Sequence, residues 1–168
     1  MKKDLKVDIA GRNYGEAKLN DVILAVLETL YRSMGFRFAT VCLKDQRSGQ
    51  FRARVAFGED HQRRQAGFVF PMAPSRDLFH LSMDNDADLM IADAGSAKIR
   101  DLLPAWHRTL LPDARSFIVL PLVVGKVQLG LFYADRVHPA PEGVPPDETS
   151  LIKALKAQVL LALTPGQV

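Results

Sequence analysis

The pattern of apolar and polar residues is most informative in two neighbouring apolar runs in the second half of the chain. Ser116 to Val124 and Val127 to Asp135 are mostly apolar and are separated by Gly125 and Lys126. Glycine at the first position of a two-residue loop favours a type II′ turn, so these runs predict a β-hairpin. Both faces of the hairpin are apolar, and we therefore expect it in the middle of a sheet that is covered on both sides.

The turn also predicts which residues of the hairpin share a face. With Val124 opposite Val127, Leu120 pairs with Leu131 on an aliphatic face. The other face is predicted to carry proline and glycine, which favour a bulge or a close backbone approach, so a cavity is expected there. The residues of this second face are Phe117, Val119, Pro121, Gly130 and Phe132.

Helical patterns lie towards both ends of the chain. Apolar residues from Leu19 to Met34 follow the i, i+3, i+4, i+7 spacing, and Gly35 is expected to end this helix. A last helix is predicted from Pro146 to about Leu163, with acidic residues in its first turn. Both helices carry more apolar surface than one sheet face can cover, which predicts a second partner for each.

Shorter elements are predicted between the first helix and the hairpin. Phe38 to Lys44 and Phe51 to Phe57 are expected to be strands, and the second alternates with Arg52 and Arg54, as near a sheet edge. The segment from residue 58 to 116 has short strand and helix patterns, which are common in binding loops and lids. These patterns are strands at Phe68 to Phe70 and Leu89 to Asp93, and helices at Asp77 to Met83 and within Ala97 to Leu111.

Composition indicates one ordinary soluble domain. The 168 residues are 48% hydrophobic and 24% charged, and no apolar run approaches the length of a membrane helix. The basic first residues lack the apolar stretch of a signal peptide, so we expect a cytoplasmic protein. A net charge of +3 does not argue for nucleic acid as a partner, because no segment is both basic and rich in aromatic residues.

Three segments are expected along the chain. Residues 1–17 have no sustained periodicity and are predicted to be a linker or flexible arm, which indicates that another module precedes the domain. Residues 18–164 form the predicted domain, and residues 165–168 form a tail.

The residues that could react or bind a metal do not form a recognisable catalytic or metal site. Cys42 is the single cysteine, so it cannot form an intramolecular disulfide, and it is expected to be a buried strand residue. The four histidines show no metal-binding pair, and the acidic MDNDAD segment lacks the glycine and glutamate of a calcium loop. No nucleophile and base form a visible pair. We therefore expect no metal, no cofactor and no enzymatic activity.

The order of helix, antiparallel sheet and helix resembles the GAF domain, a ligand-sensing and dimerising module of signalling proteins. The most specific similarity is SFIVLPLVVGKVQLGLFYAD, with Ser116, Pro121, Gly130 and Asp135, and IAD at residues 91–93 supports it. The resemblance implies an α+β fold with a central antiparallel sheet of about five or six strands. The terminal helices should cover one face and a helical or loop lid the other. LNDVILAVLETLYRSMGF followed by VCLKD is similar to the GAF-like region after an HDOD domain in bacterial signalling proteins.

Departures from the family's motifs reduce the number of ligand classes that the resemblance implies. The motif of cyclic-nucleotide GAF domains is not found, and Cys42 does not lie in the helical insertion where bilin-binding members attach their chromophore. GAF enzymes that reduce free methionine sulfoxide need more than one cysteine, and a lone thiol cannot close an intramolecular disulfide.

The sequence thus predicts a non-catalytic regulatory module that senses a small molecule and transmits its state through dimeric terminal helices. The alternative is a purely structural dimerisation domain with a filled pocket. We expect a homodimer with a flanking signalling domain. The small molecule would bind under the lid, in a mainly apolar enclosure with few polar residues. The candidate pocket residues are Phe70, Leu78, Phe79, His80, Asp93, Trp106, His107, Phe117, Val119 and Phe132.

Overall fold

A computed structural model describes residues 11 to 163 of the chain, with side chains described from Lys18 onward. Its strands are β1 (Phe38–Asp45), β2 (Gln50–Gly58), β3 (Val69–Pro71), β4 (Leu89–Ile91), β5 (Ser116–Val124) and β6 (Val127–Arg136). Its helices are α1 (Gly11–Met34), α2 (His61–Gly67), α3 (Leu78–Asn85), α4 (Ala97–Arg100), α5 (Ala105–Leu110) and α6 (Pro146–Leu163).

The six strands form one antiparallel sheet in the order β3-β2-β1-β6-β5-β4. The hairpin of β5 and β6 lies inside this sheet, as both of its apolar faces predict. One face packs against α1 and α6, and the other packs against α3, α4 and α5 with their loops, which we call the lid. The predicted α+β architecture is confirmed. Within residues 11 to 163, every helix is too short or too polar to cross a lipid bilayer.

The core under α1 and α6 is aliphatic. Ile23, Leu27 and Leu30 of α1 are fully buried at the predicted helical spacing, and Ile152 and Val159 contribute from α6. Because complete burial of such a side chain contributes about 1.5 to 3 kcal/mol, this layer is a main source of stability.

Two helices differ from the sequence expectation. The first helix begins at Gly11, eight residues before Leu19, because apolar periodicity marks the turns that pack on a core and not the start of the helical backbone. The short helix α2 was not predicted. Its sequence HQRRQAG has no apolar periodicity, and Arg64 is its one buried residue.

The turn of the central hairpin is type I′, and the predicted type II′ turn is wrong. Gly125 has φ of 55° and Lys126 has φ of 67°, and positive φ at both central residues defines type I′. Both types suit the twist of a two-residue hairpin, and the sequence Gly-Lys does not distinguish them as strongly as Asn-Gly would.

A β-bulge in β6 changes the predicted register. Val123 pairs with Gln128 but Leu122 pairs with Gly130, which makes Leu129 the extra residue. Beyond this bulge every side chain of β6 lies on the face opposite to the prediction. The expected pairing of Leu120 with Leu131 is therefore wrong. Leu131 lies on the lid side, and Leu120 pairs with Phe132.

A second bulge reverses the faces of β2. Val41 pairs with Val55 and Cys42 with Ala53, so Arg54 is the extra residue. As a result Phe51 lies in the lid-side core while Val55 lies under α1, and the single apolar face predicted for this strand is wrong.

The backbone of β6 approaches β1 closely at Gly130, in agreement with the close approach that a glycine in an apolar strand predicts. Gly130 has φ of 152°, and a Cβ atom there would run into the backbone carbonyl oxygen of Cys42 on β1. Only glycine fits this combination of dihedral angle and contact.

Candidate functional site

The interior beneath the lid is filled by aromatic rings. Helix α3 begins where the Asp77 side chain accepts hydrogen bonds from the backbone N–H groups of Phe79 and His80. The ring of Trp106 lies 4.9 Å from that of Phe68, 5.3 Å from that of Phe70 and 5.2 Å from that of Phe79, centroid to centroid. These separations are those of rings in direct contact. The aromatic interior, as we call it, comprises Phe68, Phe70, Phe79, Trp106, Phe117 and Tyr133.

Most of the predicted pocket residues meet around this interior. Seven of them lie in or against the lid-side core. They are Phe70, Leu78, Phe79, Trp106, His107, Phe117 and Val119. Phe132 is brought to the other side of the sheet by the bulge at Leu129, and it packs in the core under α1 and α6.

His80 is buried with both ring nitrogens occupied. Its Nδ1 lies 2.9 Å from a carboxylate oxygen of Asp77, and its Nε2 lies 2.9 Å from the carbonyl oxygen of Pro71. This arrangement fixes the start of α3 against β3. The ring has no free nitrogen for a ligand in this geometry.

Asp93 lies at the rim of the lid, away from the aromatic interior. Its carboxylate accepts a hydrogen bond from the Gly95 backbone N–H at 2.8 Å and lies 3.3 Å from Arg115 Nη2. The hydrogen bond from Gly95, and then the one from Arg115, hold the pKa of Asp93 below its ordinary value. Both side chains are 46% exposed, which places this pair in solvent.

A chain of buried polar groups runs from the lid to the sheet. His107 Nε2 lies 2.9 Å from the hydroxyl oxygen of Tyr133, and that hydroxyl donates to Asp135 Oδ2 at 2.7 Å. Arg37 then donates from Nε to Asp135 Oδ1 at 2.8 Å and from Nη1 to Asp113 Oδ2 at 2.7 Å. We call these five residues the polar chain.

Burial determines the protonation of the polar chain. Burial, with the nearby charge of Arg37, lowers the pKa of His107 from 6.5 to about 4. Burial raises the pKa of Tyr133 well above its ordinary value, and the neighbouring Asp135 adds to the shift. Near pH 7 the imidazole and the phenol are therefore both neutral. Because the Tyr133 hydroxyl donates to Asp135, its oxygen accepts the Nε2 proton of His107.

The carboxylates of the polar chain depend on Arg37. Burial raises the pKa of Asp135, while the hydrogen bonds from Arg37 and Tyr133 act in the opposite direction. The hydrogen bond from Arg37 lowers the pKa of Asp113. Burial acts to lower the pKa of Arg37, but its hydrogen bonds to both carboxylates raise it above the ordinary value, so the guanidinium remains charged.

Of the polar chain, the sequence indicated only His107 as a candidate site residue, and it did not indicate the other four members. Tyr133 and Asp135 are two residues apart on a strand, so the sequence does place them on one face. The bulge decides that this face is the one beneath the lid. Arg37 gives no signal of its role, because it stands between two phenylalanines and pairs with a residue 98 positions away.

A basic cleft opens on the outer side of the lid. It has a volume of about 220 Å³ and is lined by Arg100, Arg108 and Arg115, with His107 and apolar side chains completing its wall. Arg100 is the last residue of α4, Arg108 lies on α5, and Arg115 directly precedes β5. The fold thus brings together three arginines from two helices and the segment before β5.

The comparisons with solved structures identify the architecture. The chain is similar to the GAF domain/HD domain protein from Geobacter sulfurreducens, with 20% identity, a TM-score of 0.67 and coverage of 86% of this chain and 91% of that one. The chain has a GAF-like fold. No family model matches the sequence, and the search of curated proteins finds no significant match.

Two further structures show the same GAF-like fold in different proteins. One is a domain of a putative two-component sensor histidine kinase protein from Sinorhizobium meliloti 1021, with 14% identity, a TM-score of 0.63 and coverage of 86% and 89%. The other is free methionine-R-sulfoxide reductase from Neisseria meningitidis in complex with its substrate, with 17% identity, a TM-score of 0.60 and coverage of 88% and 83%. The fold therefore occurs both in a signalling protein and in an enzyme.

The GAF-like fold of this chain places its single thiol where it cannot react. Cys42 is fully buried on β1, as predicted, and burial raises the pKa of its thiol far above the ordinary value. Among the side chains described, those of residues 18 to 163, no three histidine, cysteine or acidic groups lie closely enough together to hold a metal ion.

Proposed function

We propose that this GAF-like domain is a non-catalytic regulatory module of a signalling protein. In this proposal a small molecule binds on the lid side, and its presence is transmitted to α1 and α6 of a homodimer. The observation that carries the proposal is the polar chain, because it joins His107 of the lid to Arg37, three residues after α1 ends.

Arg136 extends this connection to both terminal helices. It directly follows Asp135, and its Nη2 donates to the carbonyl oxygen of Met34 at the end of α1, at 2.6 Å. The same nitrogen lies 3.8 Å from Glu148 in the first turn of α6. A change at Asp135 therefore acts on a neighbouring residue that holds the ends of both helices.

A ligand would act by shifting the populations of two states. Any molecule that changes the hydrogen bonding of His107 changes the free energy of the polar chain, and it favours the state in which it binds more tightly. The buried position of the polar chain strengthens this coupling, since electrostatic interactions are less screened inside the protein than at the surface.

The proposed homodimer would form through the outer faces of α1 and α6. Leu24 of α1 is 41% exposed, and Leu151 and Leu161 of α6 are 37% and 58% exposed, although both helices already bury one face on the sheet. A second copy of the chain would cover these leucines, and a symmetric interface is the commonest way to do so.

Sedimentation velocity at micromolar concentration tests the dimer. The wild type should sediment as a dimer, while Leu24→Glu together with Leu161→Glu should give a folded monomer. Val127→Glu is the matched control, because Val127 is 49% exposed and begins β6, so it belongs to neither helix. A wild type that stays monomeric would contradict this part of the proposal.

Native mass spectrometry of the protein purified from its source tests sensing. A retained small molecule, released by denaturation, would support it. Hydrogen exchange with and without that molecule should then show altered protection of α1 and α6, and Tyr133→Phe should weaken this response because it removes the hydroxyl at the centre of the polar chain. Unchanged exchange in both helices on ligand binding would contradict transmission.

A second candidate is a purely structural dimerisation domain. The close contacts of Trp106 with the surrounding rings favour it, because side chains already occupy the space beneath the lid. This candidate predicts dimerisation without a retained ligand and without any change in exchange. A flanking signalling domain, with HDOD as the expected type, and a cytoplasmic location remain predictions.

A further inference from the structure

We propose that the basic cleft binds a small organic acid whose carboxylate is held by Arg100, Arg108 and Arg115. A hydroxyl or amino group of the same molecule would donate a hydrogen bond to His107 Nδ1. This inference rests on the proposed function, because it names the class of ligand that the lid side receives.

The charge of the cleft favours an anion. Among residues 18 to 163, no carboxylate lies within ion-pair distance of Arg100 or Arg108, and both side chains are exposed. The Arg115 side chain makes one hydrogen bond, to Asp93 at 3.3 Å, which leaves most of its N–H donors available. Guanidinium groups present paired N–H donors that match a carboxylate in geometry as well as in charge.

His107 provides the second observation, which is independent of the arginines. Its side chain is almost fully buried, and its Nδ1 has no hydrogen-bond partner among the described residues. Since Nε2 carries the proton given to Tyr133, Nδ1 is an acceptor. A buried acceptor without a partner is unfavourable, and a ligand that supplies a donor removes this cost.

The volume of the cleft and its apolar walls limit the size and chemistry of the molecule that it can bind. Its volume of about 220 Å³ lies below the roughly 300 to 1,000 Å³ of sites for drug-sized ligands. The buried side chains of Leu103, Leu111 and Ala114 supply apolar wall between the arginines. A short carbon skeleton with a carboxylate at one end and a donor beside it fits these limits.

Matched pairs of acids test this inference by isothermal titration calorimetry. Malate and lactate carry a hydroxyl donor, while succinate and propionate are the corresponding acids without it. At least one hydroxy acid should bind with a dissociation constant of about 1 mM or lower. It should bind at least tenfold more tightly than the corresponding acid without the hydroxyl group. Inorganic phosphate should bind more weakly than that hydroxy acid.

Variants separate the arginine contacts from general charge. Arg100→Gln and Arg108→Gln should each weaken binding at least tenfold, whereas Arg47→Gln, in the exposed turn between β1 and β2, should leave it unchanged. Binding should also move the ¹⁵N resonance of His107 Nδ1. The inference is overturned if no hydroxy acid binds, if the arginine variants bind as the wild type does, or if phosphate binds equally well.

The same titrations distinguish this inference from the proposed function. A hydroxy acid that binds through the arginines without changing hydrogen exchange in α1 and α6 would support the site and contradict transmission. A retained molecule that alters both helices but binds equally to Arg108→Gln would support transmission and overturn the organic-acid site.

Discussion

Arg37 and Asp135 form a buried, two-point ion pair between the segment after α1 and the end of β6. Arg37 Nε lies 2.8 Å from Oδ1 and Nη2 lies 3.2 Å from Oδ2 of the carboxylate, and the two side chains are 7% and 0% exposed. Two parallel hydrogen bonds of this kind fix the relative orientation of both groups. The pair therefore determines how the end of α1 is attached to the centre of the sheet.

Arg37→Leu should destabilise the fold by about 3 to 5 kcal/mol, because it leaves the Asp135 carboxylate buried without its charged partner. Urea unfolding at pH 7 measures this loss. Arg32→Leu is the matched control, since Arg32 forms an exposed pair with Glu28 and such pairs contribute about 0.2 to 1 kcal/mol. Equal stability of the two variants would show that the buried pair does not hold α1 to the sheet.

The free energy of unfolding should fall as the pH is lowered from 6.5 to about 4, because of His107. In this range the unfolded chain binds a proton at the imidazole that the folded chain excludes, so acid favours unfolding. The shift corresponds to a loss of about 3 kcal/mol, most of which has occurred at pH 4 and which is complete below that pH. Unfolding by urea at a series of pH values measures this dependence.

His107→Gln should remove this part of the pH dependence, since glutamine does not titrate. His61→Gln, at an exposed position, is the control and should retain it. The groups that face His107 through the polar chain are Tyr133, Asp135 and Arg37, and the first is neutral throughout this range. An identical pH profile for wild type and His107→Gln would contradict the assignment.

Gly130→Ala should destabilise the protein by about 3 kcal/mol or more, because the new methyl group meets the Cys42 carbonyl and the core must shift. Gly49→Ala is the control. Gly49 also has a positive φ, of 70°, but faces open space, so the cost there should be about 1 to 2 kcal/mol. Thermal unfolding of both variants measures the difference, and a smaller loss at Gly130 than at Gly49 would rule out the close approach.

The sequence by itself determined the types of the main elements. The periodicity of Leu19 to Met34, the two apolar runs around Gly125-Lys126 and the Pro146 helix start are local signals, and each corresponds to an element of the structure. Apolar residues on both faces of the hairpin also required a covered sheet. These predictions succeed because burial of apolar surface imposes the period of a helix or a strand on the sequence itself.

The tertiary structure alone decided which face each residue occupies after a bulge. Leu129 and Arg54 are extra residues in their strands because the partner strands pair around them. Pro121 and Gly130 favoured a bulge or a close approach in the hairpin but did not mark which residue is extra, and no local signal marks Arg54. One extra residue reverses the alternation, which moved Phe132 out of the predicted pocket and brought Tyr133 beneath the lid.

The candidate site was predictable only as far as its apolar part. Seven of the predicted pocket residues lie in or against the lid-side core, and all of them except His107 are apolar side chains, which are buried wherever the fold places them. The polar chain depends on contacts such as that of Arg37 with Asp135, 98 positions apart. The basic cleft depends on three arginines from separate parts of the chain. Such groups carry no period along the chain, and only the folded backbone brings them together.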